Sequence, residues 1–221
     1  MQQISDKMAG LYVHIPFCKS RCIYCAFYST TSAGMEEKYV SALCRELDLR
    51  SDYCSSEWQT VYIGGGTPST LSQEQLQRLF SHIDCSHATE VTIECNPDDV
   101  TPSFASLLAS LPVNRVSMGA QTFDDSRLGF LRRRHNAAEV VNAVSTLRDA
   151  GIDNISIDLI YGFPGESLKQ WDDDITAALS LGVEHLSAYC LSYEEGTPLY
   201  RMLKEGKVEE SDDELTRAMY Y

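Results

Sequence analysis

Basic residues are scarce in this chain: 18 lysines and arginines face 32 aspartates and glutamates, a formal charge of −14 over 221 residues. So acidic a surface repels phosphate backbones and argues against nucleic-acid binding, and the basic run Arg132-Arg133-Arg134-His135 is too short to reverse that. No apolar run approaches the length of a transmembrane span. The stretch from Met1 to Lys7 lacks the apolar centre of a secretion signal, so a reducing cytoplasm is the expected compartment. Internal repeats, low-complexity tracts and interdomain linkers are also missing. A hydrophobic fraction of 43% at this length suits one substantial globular domain. The acidic clusters at 172–174, at Glu194-Glu195 and at 209–214 read as solvated faces.

Cysteine is present but mostly scattered. Cys44, Cys54, Cys85, Cys95 and Cys190 stand singly, with no disulfide framework and no second ligand pair for a zinc knuckle. They read as small buried hydrophobes or inert thiols. Cys18, Cys22 and Cys25 differ, because C-x3-C-x2-C follows directly on a short apolar strand. Three thiolates on one loop can hold three irons of a cubane 4Fe–4S cluster and leave the fourth without a protein ligand. An open metal position is where a small molecule binds and reacts, and this spacing matches the pattern that presents S-adenosylmethionine (SAM) to an electron. A structural zinc ion, with His14 or a distant residue as fourth ligand, competes with it.

Short β-branched runs alternate with helical stretches along the whole chain, the pattern of a parallel sheet wrapped by helices. Strands are expected over 11–14, 60–63, 90–94, 115–118, 155–160 and 185–191. Helices are expected over 36–51, 73–83, 102–110, 124–131, 137–150, 168–181 and 198–205. Ser72, Ser167 and Ser211 each open a capping box, and Thr101-Pro102 and Thr197-Pro198 set a cap residue before a proline at the first helical position. These units fit an α/β fold, an incomplete (β/α)6 barrel, better than a closed eightfold one. The last helix starts near Ser211 and shows no stop before Tyr221, so 1–205 is expected to be the core domain and 206–221 the start of a truncated C-terminal region.

Polar residues gather at the ends of the expected strands, which form the active-site face of a barrel. Gly64-Gly65-Gly66-Thr67 lets backbone approach a ligand closely. Glu94 and Gln121 close their strands, and Asp158 interrupts an apolar run, where a carboxylate needs a hydroxyl, an amine, an arginine or a structural salt bridge. Arg133 and His135 read equally as catalytic or as helix-end residues. His82, His87 and His185 read as surface or packing residues.

Together the segments Tyr12-Val-His-Ile-Pro-Phe-Cys18, Gly64-Gly-Gly-Thr-Pro-Ser69, Glu94-Cys-Asn-Pro97, Arg115-Val-Ser-Met-Gly-Ala-Gln-Thr-Phe123, Ile157-Asp-Leu-Ile-Tyr-Gly-Phe-Pro-Gly165 and Tyr189-Cys-Leu-Ser-Tyr-Glu-Glu-Gly-Thr-Pro-Leu-Tyr200 resemble one family. It is the radical-SAM family of oxygen-independent coproporphyrinogen III oxidases, with a closer likeness to its haem-chaperone branch. The resemblance implies that Cys18, Cys22 and Cys25 hold a 4Fe–4S cluster. It implies that Tyr12, Gly65, Gly66, Thr67 and Glu94 hold SAM there, with Tyr24 beside the adenine. It also implies that Gln121, Arg133, Asp158 and Ser192 line a cavity for a second SAM or substrate. Haem or a porphyrinogen, a one-electron reductant such as flavodoxin or ferredoxin, and haem-accepting apoproteins are the implied partners. Two departures bear on activity. Phe27 stands where the oxidases carry a further cysteine, which argues for haem binding and transfer over oxidative decarboxylation of propionates to vinyl groups; Ala26 stands where the chaperone branch usually has Asp. That branch's His-Asn-x-x-Tyr-Trp haem signature is absent from this sequence.

Overall fold

The computed structural model describes residues 9–51 and 57–221; Cys54 and the stretch from Met1 to Lys7 lie outside them. Six strands, β1 (Ala9–Ile15), β2 (Trp58–Gly65), β3 (Glu90–Cys95), β4 (Arg115–Gln121), β5 (Asn154–Tyr161) and β6 (His185–Cys190), pair in sequence order. Every pairing is parallel, and β1 is not paired with β6 among the described residues. The sheet is therefore the open six-stranded barrel expected. Between the strands run α1 (Glu36–Leu49), α2 (Gln73–Ser81), α3 (Pro102–Ser110), α4 (Asp125–Leu131), α5 (Ala137–Asp149) and α6 (Leu168–Ser180), followed by α7 (Pro198–Lys204) and α8 (Asp213–Tyr220). No helix among the described residues is long and apolar enough to cross a membrane.

The two faces of the sheet are chemically opposite, as a period of two demands. On the helix-facing side Val13, Ile15, Val61, Ile63, Val91, Ile93, Val116, Met118, Ile155 and Ile157 are all 2% exposed or less. They pack against Val40, Leu76, Leu79, Leu108, Val144 and Leu147 from the helices in one contiguous core. Each such aliphatic side chain contributes about 1.5–3 kcal/mol by leaving water. The alternate positions on the inner side are polar or absent: Tyr62 and Gly64, Thr92 and Glu94, Ser117 and Gly119, Ser156 and Asp158. A closed parallel barrel would fill that interior with branched aliphatics. Here several of these positions line an open cavity.

Helix starts follow the capping chemistry. Ser72 and Ser167 form complete capping boxes, and Thr101 and Thr197 accept from Phe104 and Tyr200 N–H. Asn136 forms a third box with Glu139, which the sequence reading passed over. The box expected at Ser211 is not made. Asp212 caps α8 instead, accepting from Glu214 and Leu215 N–H, while the Ser211 hydroxyl donates to Phe163 O at 2.8 Å. An aspartate next to the helix already meets those donors, which releases the serine. α8 lies on α6, with Met219 buried and Trp171 Nε1 donating to its carbonyl at 2.8 Å.

The acidic run at 172–174 is not wholly a solvated face. Asp172 and Asp173 are exposed, but Asp174 is 4% exposed, because successive helical residues turn about 100° and the third points inward. Its carboxylate accepts from Thr122 Oγ1 at 2.6 Å and Phe123 N–H at 2.8 Å. Arg127 Nη1 joins it at 3.2 Å to the equally buried Glu166, 2.6 Å away. Glu166 in turn accepts from Gly162 and Phe163 N–H, so one arginine and two carboxylates lock the ends of β4 and β5 together. Cys44 and Cys95 are buried as expected, whereas Cys190 is exposed at the end of β6.

Candidate functional site

A cavity of about 500 Å³ opens at the C-terminal ends of the strands, within the range of small-molecule sites. The loop after β1 forms one wall. It is pinned from several directions: Cys18 N–H donates to Thr30 O at 2.9 Å, Ile23 N–H to Leu131 O at 3.2 Å, and Leu199 N–H to Ile23 O at 3.0 Å. Cys18, Cys22 and Cys25 all line the cavity as free thiols, and burial raises the Cys25 thiol pKa. Tyr24 lies between them, its phenol pushed up by burial.

Glycines let this loop come so close. Gly66 N–H donates to Ile15 O at 2.7 Å, and a Cβ on Gly66 would lie 2.7 Å from Phe17 O and 3.0 Å from Cys18 Sγ. Gly65 has φ +118, and its Cβ would fall 2.7 Å from the His14 ring. The glycine turn thus accommodates the cysteine loop before any ligand. Thr67 follows it, buried, with Oγ1 3.6 Å from Cys18 Sγ.

The opposite walls come from the inner sheet face. Glu94 accepts from Tyr62 OH at 2.8 Å and Gly65 N–H at 3.0 Å, and burial raises its pKa. Asp158 meets a hydroxyl rather than a cation: Ser117 Oγ is 3.4 Å from both oxygens, and no ion pair reaches it among the described residues. Burial raises this carboxyl too, with the Ser187 and Ser117 hydroxyls opposing. Gln121 sits at φ 71 beside a register shift in β4, a left-handed conformation uncommon for a residue with a side chain. Arg133 Nη2 donates to Gly119 O and Asn96 Oδ1, both at 2.7 Å, while Nη1 approaches Cys22 Sγ at 3.4 Å. Ser192 completes the lining.

Of the residues singled out for SAM, Tyr12 alone is not in the cavity wall: 57% exposed, it stacks on Tyr62 and bonds His14 Nδ1 at 3.0 Å. His135 does not reach the cavity either, and braces Ala120 O at 3.0 Å. Asn96 and Cys190 line the cavity without having been singled out. Asn96 follows directly on Glu94-Cys95 at the strand end, a position that could have signalled it.

No three His, Cys, Asp or Glu side chains among the described residues gather as ligands of a single ion. A cubane spreads three thiolates over three separate irons, so its ligands need not converge on one point. The donor set of three free thiols from one loop, around one cavity, fits such a cluster.

An open parallel (β/α)6 barrel with three thiols at the mouth of its polar interior defines a class of cluster-and-SAM proteins. The chain belongs to the radical SAM superfamily, whose family model matches residues 12–178. That family uses a 4Fe–4S cluster and SAM. The chain is 37% identical to the heme chaperone HemW of Bacillus subtilis, over 96% of its own length and 58% of that protein's. It is 36% identical to the heme chaperone HemW of Mycobacterium tuberculosis strain H37Rv, over 96% and 56% of the two lengths. The chain thus spans little more than half the length of these relatives. Among solved structures, the coproporphyrinogen III oxidase HemN of Escherichia coli superposes with a TM-score of 0.83 at 22% identity, over 97% of this chain and 51% of that one. The methyltransferase TsrM of Kitasatospora setae follows at 0.68 and 15% identity, over 90% and 39%. At such identities these two likenesses concern the fold.

Proposed function

We propose that Cys18, Cys22 and Cys25 hold a 4Fe–4S cluster, that SAM sits against its open iron, and that the chain serves to bind haem and pass it to haem-dependent apoproteins. The observation that carries the cofactor reading is the convergence of all three thiols with Tyr24, Gly65, Gly66, Thr67, Glu94, Gln121, Arg133, Asp158 and Ser192 on one cavity. When bound, the cluster and SAM supply one-electron chemistry. The chain's own groups hold and orient. Glu94 and Asp158 offer carboxylate oxygens to an ammonium or hydroxyls, Arg133 offers a guanidinium, and Tyr24 stands beside the adenine. Tyr12 acts through Tyr62, which it stacks on.

The haem reading rests on the identity to proteins named heme chaperones and on Phe27, which is 72% exposed at the cavity edge where an oxidase would place another thiol. A one-electron reductant is the proposed redox partner, and the cytoplasm the proposed compartment. The test is anaerobic reconstitution of the chain with iron and sulfide. About four irons per chain, lost in Cys22→Ala, are expected, with SAM binding but little accumulation of 5′-deoxyadenosine. Zinc in place of iron would refute the cofactor reading. Vinyl formation from a porphyrinogen, at many turnovers, would replace the chaperone reading by the oxidase one.

A further inference from the structure

Lys19 stands between two of the proposed cluster ligands, on a loop whose neighbours Ser20 and Arg21 are exposed. Its ammonium donates to Asp99 Oδ1 at 2.6 Å. The Asp99 side chain is 2% exposed, an environment that a carboxylate occupies only when well bonded. It is bonded on both oxygens. Ser69 Oγ donates to Oδ2 at 2.7 Å, and Arg134 Nη2 reaches both oxygens at 3.2 and 3.3 Å. Ser69 Oγ also accepts from Asn96 N–H at 3.3 Å, and Asn96 Oδ1 accepts from Arg133 Nη2 at 2.7 Å. Arg133 Nη1 then reaches Cys22 Sγ at 3.4 Å.

These bonds leave the cysteine loop at Lys19 and return to it at Cys22. On the way they pass through both 3-10 turns, Pro68–Thr70 after β2 and Pro97–Asp99 after β3, and through the segment after α4. Asp99 is the hub: among the described residues it is the one group that bonds the loop, the β2 turn and Arg134 together. Partners outside the ligand set orient ligands, and removing them typically costs about 10–100-fold in metal affinity.

We propose that Asp99 is a positioning residue for the cluster, holding the Cys18–Cys22 segment through Lys19 on one side and through Ser69, Asn96 and Arg133 on the other. The proposal rests on Cys18, Cys22 and Cys25 being the ligands. Its two arms act differently. The Lys19 arm fixes where the loop lies. The Arg133 arm brings a cationic N–H to a ligand sulfur, and hydrogen bonds to cluster sulfurs help to set the reduction potential.

The test compares the anaerobically reconstituted chain with Asp99→Asn, which keeps the shape but drops the charge, and with Lys19→Met, whose side chain is 53% exposed and replaceable without disturbing the core. Iron release to a chelator should quicken about tenfold or more in Asp99→Asn, with a shifted cluster midpoint potential. Lys19→Met should release iron faster as well, with the melt of the apo chain lowered less than in Asp99→Asn, since Ser69 and Arg134 still bond the carboxylate. Combining the two should add little beyond Asp99→Asn alone, because both break one bond. Iron release and potential equal to the parent's in both variants would overturn the proposal, as would full additivity of the two substitutions. If Asp99→Asn does not fold, Lys19→Met decides by its release rate. A parent chain that assembles no four-iron cluster would sink the ligand reading itself, a result distinct from a parent that assembles one with indifferent variants.

Discussion

Acidification should weaken the fold through His135, which is 4% exposed. Its Nε2 lies 3.0 Å from Ala120 O, a carbonyl that can only accept, so Nε2 carries the proton. Nδ1 is buried with no hydrogen-bond partner among the described residues. Protonating Nδ1 would place a cation in a dry site near the Arg133 guanidinium. Burial first, and then Arg133, hold the pKa down at about 4. An unfolded imidazole titrates near about 6.5. Above that pH both states are neutral at this ring and the full stability is present. As pH falls from about 6.5 toward about 4, the unfolded chain takes up a proton that the folded chain refuses, and stability is lost. The loss is about 2 kcal/mol at about pH 5 and approaches about 3 kcal/mol below about pH 4. Buried Glu94, Asp158, Glu166 and Asp174, whose pKa values burial raises, push the other way. A comparison with His135→Gln, which can still donate to Ala120 O but does not titrate, removes their contribution. Urea unfolding of both apo chains at about pH 7.5 and about pH 5 should show the parent losing about 2 kcal/mol more than the variant. Equal losses would refute the argument.

Three further outcomes follow from the geometry. Gly66→Ala should drive the cysteine loop off β2, costing about 1–3 kcal/mol in denaturant unfolding and lowering the iron retained per chain; an unchanged iron content would contradict the close approach. Asp174→Ala should cost about 3–5 kcal/mol, because Thr122, Phe123 and Arg127 lose their shared acceptor; a melting temperature within a degree or two of the parent's would show the network to be dispensable. Gln121→Gly should relieve a left-handed residue and melt no lower than the parent, yet bind SAM more weakly by calorimetry. A melt lowered in step with SAM affinity would make Gln121 a packing residue.

Period-two and 3.6-residue patterns carried the architecture, since all six strands and seven helices lie where hydrophobic spacing put them. The ends were less legible. β4 runs on past Met118 to Gln121 through a register shift between Gly119 and Gln121, and no local residue preference announces it. That Cys18, Cys22 and Cys25 act together was legible from spacing alone, and the fold brings all three to one cavity. What held their loop in place was not: Lys19 finds Asp99, and Cys22 finds Arg133, across 80 and 111 residues of chain, and only the folded sheet brings them together. The same distance hid Asp174, whose partners lie in the turn after β4. Cys190 looked like a core residue by composition but stands exposed at the end of β6, where no seventh strand covers it among the described residues.

The opposition between the two faces of the sheet bears on how such a protein can change over generations. Stability resides in the helix-facing aliphatics, which tolerate little alteration. The cavity is lined by alternate residues of the same strands, such as Tyr62, Glu94, Ser117, Asp158 and Tyr189, which contribute little to that apolar core. A substitution on the inner wall can therefore redirect what is bound while leaving the scaffold standing, one position at a time. A single barrel can in this way be inherited by lineages with very different chemistries, each rewriting the lining and keeping the wall.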